Sequence, residues 1–137
     1  MTLPYSDNDI KALLDISRNI AIVGLSPKEN RPSHMVARYL RTHGYRIIPV
    51  NPGQHEILGY RCYSDLSEIE EHVDIVNIFR RSEDTPPVVE QAAAIGARVV
   101  WMQQGIMNEK AATTAKKNGL ICIMDSCIKI EHARLFG

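Results

Sequence analysis

With 137 residues, 45% of them apolar and 23% charged, the chain has the size and composition of one globular domain over 1–137 and cannot be a disordered polymer. Sixteen Lys and Arg offset sixteen Asp and Glu, so the basic excess of a nucleic-acid binder is missing. No apolar run approaches the ~18 residues of a membrane span, and a chain this long buries about 68% of its unfolded surface, enough for a core without disulfides or metal.

Residues 1–9 are polar and acidic, the opposite of a signal peptide. A helix is expected over 6–17, capped by Ser6, with acids in its first turn and Ile10, Leu13, Leu14 and Ile16 at helical spacing. Residues 19–25 form a short apolar run reaching Gly24 and read as a strand buried on both faces. A second helix follows over 32–43, with Pro32 in its first turn, Met35, Val36, Tyr39 and Leu40 as its stripe, and Gly44 as its stop. The next strand, 45–51, contains Pro49, which cannot donate to a ladder and points to an early end or a place near a sheet edge. Residues 57–63 suggest a short further strand and 66–71 a small helix. Then come a strand over 73–79 and a helix over 82–97, where Pro86 and Pro87 fall in the first turns and cost few hydrogen bonds. A strand over 98–102, an Ala-rich helix over 108–118 ended by Gly119, a last strand over 120–124 and a short closing helix over 128–135 complete the chain.

Strands alternating with helices of this length imply an α/β fold: a three-layer, doubly wound parallel sheet of five or six strands with right-handed crossovers. Ligands of such sheets sit beyond the carboxyl ends of the strands, where the winding reverses. The residues to inspect are therefore 24–33, 51–55, 79–82, 103–107 and 125–129.

The loop over 24–33 leads into a helix start whose N–H groups lack partners and carry partial positive charge, which suits an anion. Gly24, Leu25, Ser26, Lys28, Arg31, Pro32 and Ser33 are candidate phosphate-binding residues; the plainer alternative is a polar loop before an ordinary Pro-started helix. A dinucleotide fingerprint needs three glycines and only Gly24 is present, while Asn51 stands where a ribose-gripping acid would end the second strand. Both features argue against NAD(P). Asn51 and Pro52 lie where an adenosine would, Pro52 to stack on a base and Asn51 to bond to it, although Asn-Pro-Gly is also plain turn chemistry. Phe79, Arg80 and Arg81 end the third long strand, and two planar guanidinium forks suit phosphate, unless they pair with Glu83 and Asp84. Gln103 and Gly105, after the fourth, offer an amide and close backbone approach, with Trp101 read alternatively as core and the Gln103–Gln104 pair as solvated. Cys127 lies past the last strand beside Lys129 and His132 and is a candidate nucleophile; Cys122 falls inside that strand and reads as packing.

Cys62, Cys122 and Cys127 are an odd, scattered set without the spacing of a zinc site or redox dithiol. A cytoplasmic location is expected. His34, His43, His55 and His72 stand singly, and no metal site is expected.

Six stretches occur in order: Val-Gly-Leu-Ser-Pro-Lys at 23–28, Arg-Pro-Ser at 31–33, Pro-Val-Asn-Pro at 49–52, Phe-Arg-Arg-Ser-Glu at 79–83, Val-Trp-Met-Gln-Gln-Gly at 100–105 and Met-Asp-Ser-Cys-Ile-Lys-Ile-Glu-His at 124–132. Together they resemble the family of small stand-alone CoA-binding domains of bacteria and archaea, Rossmann-like and similar to the domain that begins the α subunit of succinyl-CoA ligase. The resemblance runs from about 20 to 135. It implies coenzyme A or an acyl-CoA as ligand, with the pyrophosphate at 24–33 and the adenosine beside Asn51 and Pro52. The family often places Lys after Asn-Pro; this sequence has Gly53 and Gln54, which leaves the 3′-phosphate to Arg31 or Lys28. Larger CoA ligases carry a phosphorylated His on a further domain that these residues do not include, so their chemistry is not carried over. The expectation is a non-catalytic CoA-binding or regulatory module, with three rivals. One is an enzyme using Cys127 for acyl transfer or thiol–disulfide exchange with CoA. The others are an NAD(P)-type binder and a protein whose CoA site gates an unidentified partner.

Overall fold

The computed structural model describes residues 5–137; the first four residues of the acidic N-terminal segment lie outside that range. In chain order it contains α1 (Asp7–Ile16), β1 (Asn19–Val23), α2 (Pro32–Thr42), β2 (Arg46–Val50), β3 (Glu56–Ile57), β4 (Tyr60–Arg61), β5 (Ile75–Ile78), α3 (Thr85–Ala94), β6 (Val99–Met102), α4 (Glu109–Lys117), β7 (Ile121–Ile123) and α5 (Ile128–Phe136), with single 3-10 turns at Leu66–Glu68 and Ser82–Asp84. No helix among the described residues is long and apolar enough to cross a membrane.

Five strands form one all-parallel sheet in the order β2-β1-β5-β6-β7. Period-two alternation sends Ile20, Ile22, Ile47, Ile75 and Trp101 to one face, beneath Leu14 of α1, Leu40 of α2 and Ile128 of α5. It sends Ala21, Val23, Ile48, Val76 and Met102 to the other, beneath Val89 of α3 and Ala111 and Ala115 of α4. This is the three-layer, doubly wound Rossmann-like arrangement that the alternation implies. The winding reverses between β1 and β5, so the ends of those two strands frame the switch point.

Ser6 caps α1 as expected: its Oγ accepts from Asp9 N–H at 3.1 Å while its own N–H donates to the Asp9 carboxylate at 3.2 Å. Pro49 sits in β2, an edge strand of the sheet. The Pro49 carbonyl accepts from Tyr63 N–H at 3.0 Å on the outer side, and the missing Pro49 N–H shares that side, so no ladder bond to β1 is lost.

Three expectations need correction. Residues 57–63 do not add a sixth strand to the sheet. They contribute to a two-stranded antiparallel hairpin of β3 and β4, turned by Leu58 (φ +57°) and Gly59 (φ +80°), after which Tyr63 bridges to Val50. The helix expected over 82–97 begins as a 3-10 turn and ends at Ala94, before Gly96 at φ +80°. Met35 and Ile16 are 42% and 62% exposed rather than buried; in α2 the inward positions are His34, Val36, Ala37 and Leu40. The His34 ring Nδ1–H donates to the Ser26 carbonyl at 2.9 Å, which rotates that side of α2 inward.

At the opposite edge, the carboxylate of Asp74 joins the start of β1 to the approach to β5. It accepts from the N–H groups of Arg18 and Asn19 at 2.9 Å each and from His72 Nε2 at 2.9 Å. Burial pushes this carboxyl up, but the Asn19 and Arg18 N–H bonds and His72 together outweigh it, and its pKa lies below the ordinary value.

Candidate functional site

At the switch point β1 and β5 end side by side. Gly24 donates its N–H to the Val50 carbonyl at 2.8 Å, and Phe79 donates to the Val23 carbonyl at 2.8 Å. Gly24 has φ +87°, and a Cβ there would lie 2.1 Å from the Phe79 carbonyl oxygen. Only glycine lets the chain turn out of β1 this close to the end of β5.

The loop that follows is built by its own side chains. Leu25 is fully buried as an anchor, and Asn51 Nδ2 donates to its carbonyl at 2.8 Å. Ser26 N–H donates to Ser33 Oγ at 3.0 Å, and Lys28 N–H to Ser26 Oγ at 3.1 Å. No side chain caps the start of α2 at Arg31. His34 and Met35 both donate to the Arg31 carbonyl, Pro32 has no N–H, and Ser33 N–H has no partner among the described residues. An open positive helix end therefore faces a cleft of about 400 Å³ whose lining includes Gly24, Ser26, Lys28, Arg31, Pro32 and Ser33, with Phe79.

The two arginines after β5 separate. Arg80 Nη1 lies 3.1 Å from the position of a Gly24 Cβ, beside the cleft floor. Arg81 is exposed and pairs with Asp84 at 3.0 Å and Glu83 at 3.8 Å. Among the described residues, Lys28, Arg31 and Arg80 make no ion pair. Two uncommitted cations, Lys28 and Arg31, thus line the cleft with Ser33, and a third, Arg80, stands beside Gly24.

Pro32 and Phe79 also line a second hollow of about 420 Å³, whose far wall holds Gln103, Gln104, Ile106 and Cys127. A third, of about 240 Å³, shares Pro32, Val36 and Cys127 with it and adds Met35, Lys129 and Ile130. The three run in series along the start of α2. Gln103 is nearly buried, and its Oε1 accepts from Ile128 N–H at 3.2 Å, which caps α5. Gly105 lines none of these hollows; its N–H donates to Asp125 Oδ1 at 2.7 Å. Trp101 is core, its Nε1–H donating to the Ser126 carbonyl at 2.8 Å. Asn51 and exposed Pro52 also lie outside the hollows, in a turn closed by Gln54 N–H on the Asn51 carbonyl.

Cys127 lines the second and third hollows, but neither proposed base is bonded to it. His132 Nδ1 is 2.8 Å from the Tyr39 hydroxyl and the ring stacks on Phe136 at 4.6 Å; burial and nearby His43 hold its pKa below the usual value. The Lys129 ammonium stands 5.9 Å over the Tyr39 ring. Burial, with Glu109 nearby, pushes the Cys122 thiol up to about 11, as befits a packing residue. The sequence reading did not single out as site residues Met35, Val36, Ile106 and Ile130, which form the apolar lining of these hollows: Met35 and Ile130 are exposed on helices, Val36 is buried and Ile106 lies in the loop after β6, so no shared local signal sets them apart.

Residues 18–133 match the family described as CoA binding domain. The Bacillus subtilis (strain 168) protein YneT, described as uncharacterized, is 48% identical over 128 residues, which cover 93% of this chain and 95% of that one. The ADP-forming acetate–CoA ligase I of Archaeoglobus fulgidus is 33% identical over 126 residues; the match covers 85% of this chain but only 18% of the ligase. Among solved structures, a hypothetical protein from Pyrococcus horikoshii OT3 superimposes with a TM-score of 0.96 at 40% identity, covering 98% of this chain and 94% of that one.

Proposed function

This chain belongs to the CoA binding domain family, and on that premise we propose that it binds coenzyme A or an acyl-CoA at the carboxyl edge of its sheet, as a non-catalytic binding or regulatory module. The observation that carries the reading is the open start of α2 at the β1/β5 switch, in a cleft lined by Lys28 and Arg31, with Arg80 beside Gly24, none of the three in an ion pair among the described residues. The diphosphate lies over Ser33 N–H and Gly24, and Arg31 or Lys28 meets the 3′-phosphate. The adenosine rests against Pro52. The pantetheine arm runs through the second hollow between Phe79 and Gln103. Arg81, held by Asp84, and Gly105, held by Asp125, take secondary parts. The free thiols of Cys62, Cys122 and Cys127 suit the reducing cytoplasm.

Three or four charge-assisted bonds at roughly 1.5–3 kcal/mol each only offset an association cost of about 4–15 kcal/mol. Useful affinity therefore needs adenine and pantetheine burial, and the expected Kd is micromolar at best, about −8 kcal/mol. Calorimetry should show heat with CoA and acetyl-CoA and none with NAD; heat with NAD alone overturns the reading. Arg31 is exposed and its guanidinium is unpaired among the described residues, so Arg31→Ala should weaken CoA binding about tenfold and leave the melting temperature nearly unchanged. Unaltered affinity removes Arg31 from the site.

The place of Cys127 between two hollows favours one second reading, thiol–disulfide exchange. Its thiolate attacks a sulfur of CoA disulfide, a protein–S–S–CoA bond forms, and one CoA thiol leaves. Intact mass after incubation with CoA disulfide should then show one CoA adduct that Cys127→Ser lacks. No adduct at Cys127 disposes of this chemistry.

A further inference from the structure

Resting on the CoA reading, we infer that the protein takes acylated CoA in preference to free CoA, the hollow between α2 and α5 holding an apolar acyl group. Met35 on α2 and Ile130 on α5 are 42% and 56% exposed, two of the few large apolar side chains left in solvent among the described residues. Both line the same hollow, with Pro32, Val36 and Cys127. Its one charged residue, Lys129, carries its ammonium over the Tyr39 ring, so its alkyl stem completes an apolar wall.

Continuity says what covers this wall. The hollow shares Pro32, Val36 and Cys127 with the one lined by Gln103 and Gln104, which shares Pro32 and Phe79 with the cationic cleft at Gly24. Polarity falls along the series: cations and an open amide, then side-chain amides, then hydrocarbon. A CoA thioester has the same order, from diphosphate through the two pantetheine amides to the acyl chain. Free CoA ends in a thiol and leaves Met35 and Ile130 wet.

The test is a calorimetric series of CoA, acetyl-CoA, butyryl-CoA and a thioester of equal length ending in a carboxylate. Burial of each methylene is worth roughly three- to fourfold in affinity, so butyryl-CoA should bind about tenfold tighter than acetyl-CoA, and the carboxylate-ended thioester more weakly than butyryl-CoA. In Ile130→Glu, and in Met35→Gln should that variant fold poorly, the ratio of butyryl-CoA to CoA affinity should fall toward one. Equal binding of CoA and butyryl-CoA overturns the acyl assignment while leaving CoA binding standing. No binding by any of the four removes both. Tighter binding of the carboxylate-ended thioester assigns the hollow to Lys129 and overturns the apolar reading. So does light scattering in which Ile130→Glu turns a dimer into a monomer with an unchanged affinity ratio, since a second copy then covers the wall.

Discussion

Gly24→Ala is expected to lose about 3 kcal/mol of stability, part from holding an L side chain at positive φ and part from displacing the end of β5. The φ of +87° places this residue in the left-handed region, and the added Cβ would stand 2.1 Å from a backbone oxygen that cannot rotate away. Relief requires Phe79 to retreat, yet Phe79 N–H is bonded to the Val23 carbonyl one residue before Gly24. For a domain of this length the melting temperature should fall by roughly 10 °C, and any CoA affinity should fall with it, because Gly24 and Phe79 line the same cleft. Gly105→Ala is the control. Its φ is +86° but nothing lies within 4 Å of its Cβ position, so it bears only the conformational cost, about 1 kcal/mol. Urea denaturation of both variants decides the matter; equal midpoint shifts would show that the β1–β5 contact yields.

Asp74→Ala should cost a similar amount, about 3 kcal/mol, by stranding the N–H groups of Arg18 and Asn19 at the opposite edge of the sheet. Its pH dependence separates it from a packing defect. The folded-state pKa of Asp74 lies below the unfolded value, so its stabilisation is complete above the unfolded carboxyl pKa of about 3.9 and is lost as pH falls through the folded one. The difference between wild type and Asp74→Ala, read from urea midpoints, should be largest near neutral pH and shrink below about pH 4. A difference independent of pH would show that the carboxylate charge contributes nothing. Asp74 is remote from the β1/β5 cleft, and the folded variant should keep whatever CoA affinity the wild type has.

The layered α/β architecture was legible because each element announces itself within a few residues. Ser6 with the acids after it writes a helix start, 19–25 an apolar strand buried on both faces, and Pro32 a second helix start. Pro49 correctly pointed to an edge, since a missing donor is a local fact with one cheap location. The hairpin at 56–61 was not legible, because its runs are two residues long and Leu58 turns at positive φ against its own preference. Within the candidate site, the loop over 24–33 stood out for the same local reasons, as glycine, serines and cations before a proline.

Chain neighbours alone determined the strand–helix rhythm, the carboxyl-edge loops and the glycine at the turn out of β1, since backbone sterics and hydrogen-bond deficits act over a few residues. Contacts between distant segments decided the rest. Arg80 and Arg81 are adjacent yet part company, one beside Gly24 and the other tied to Asp84. Cys127 and His132 are near in sequence, but the imidazole is bonded to Tyr39 on another helix. The apolar wall of Met35 and Ile130 exists only because α2 and α5 lie on the same face of the sheet. Which side chains converge depends on register and helix rotation, and these are set by packing between residues that the chain order keeps far apart.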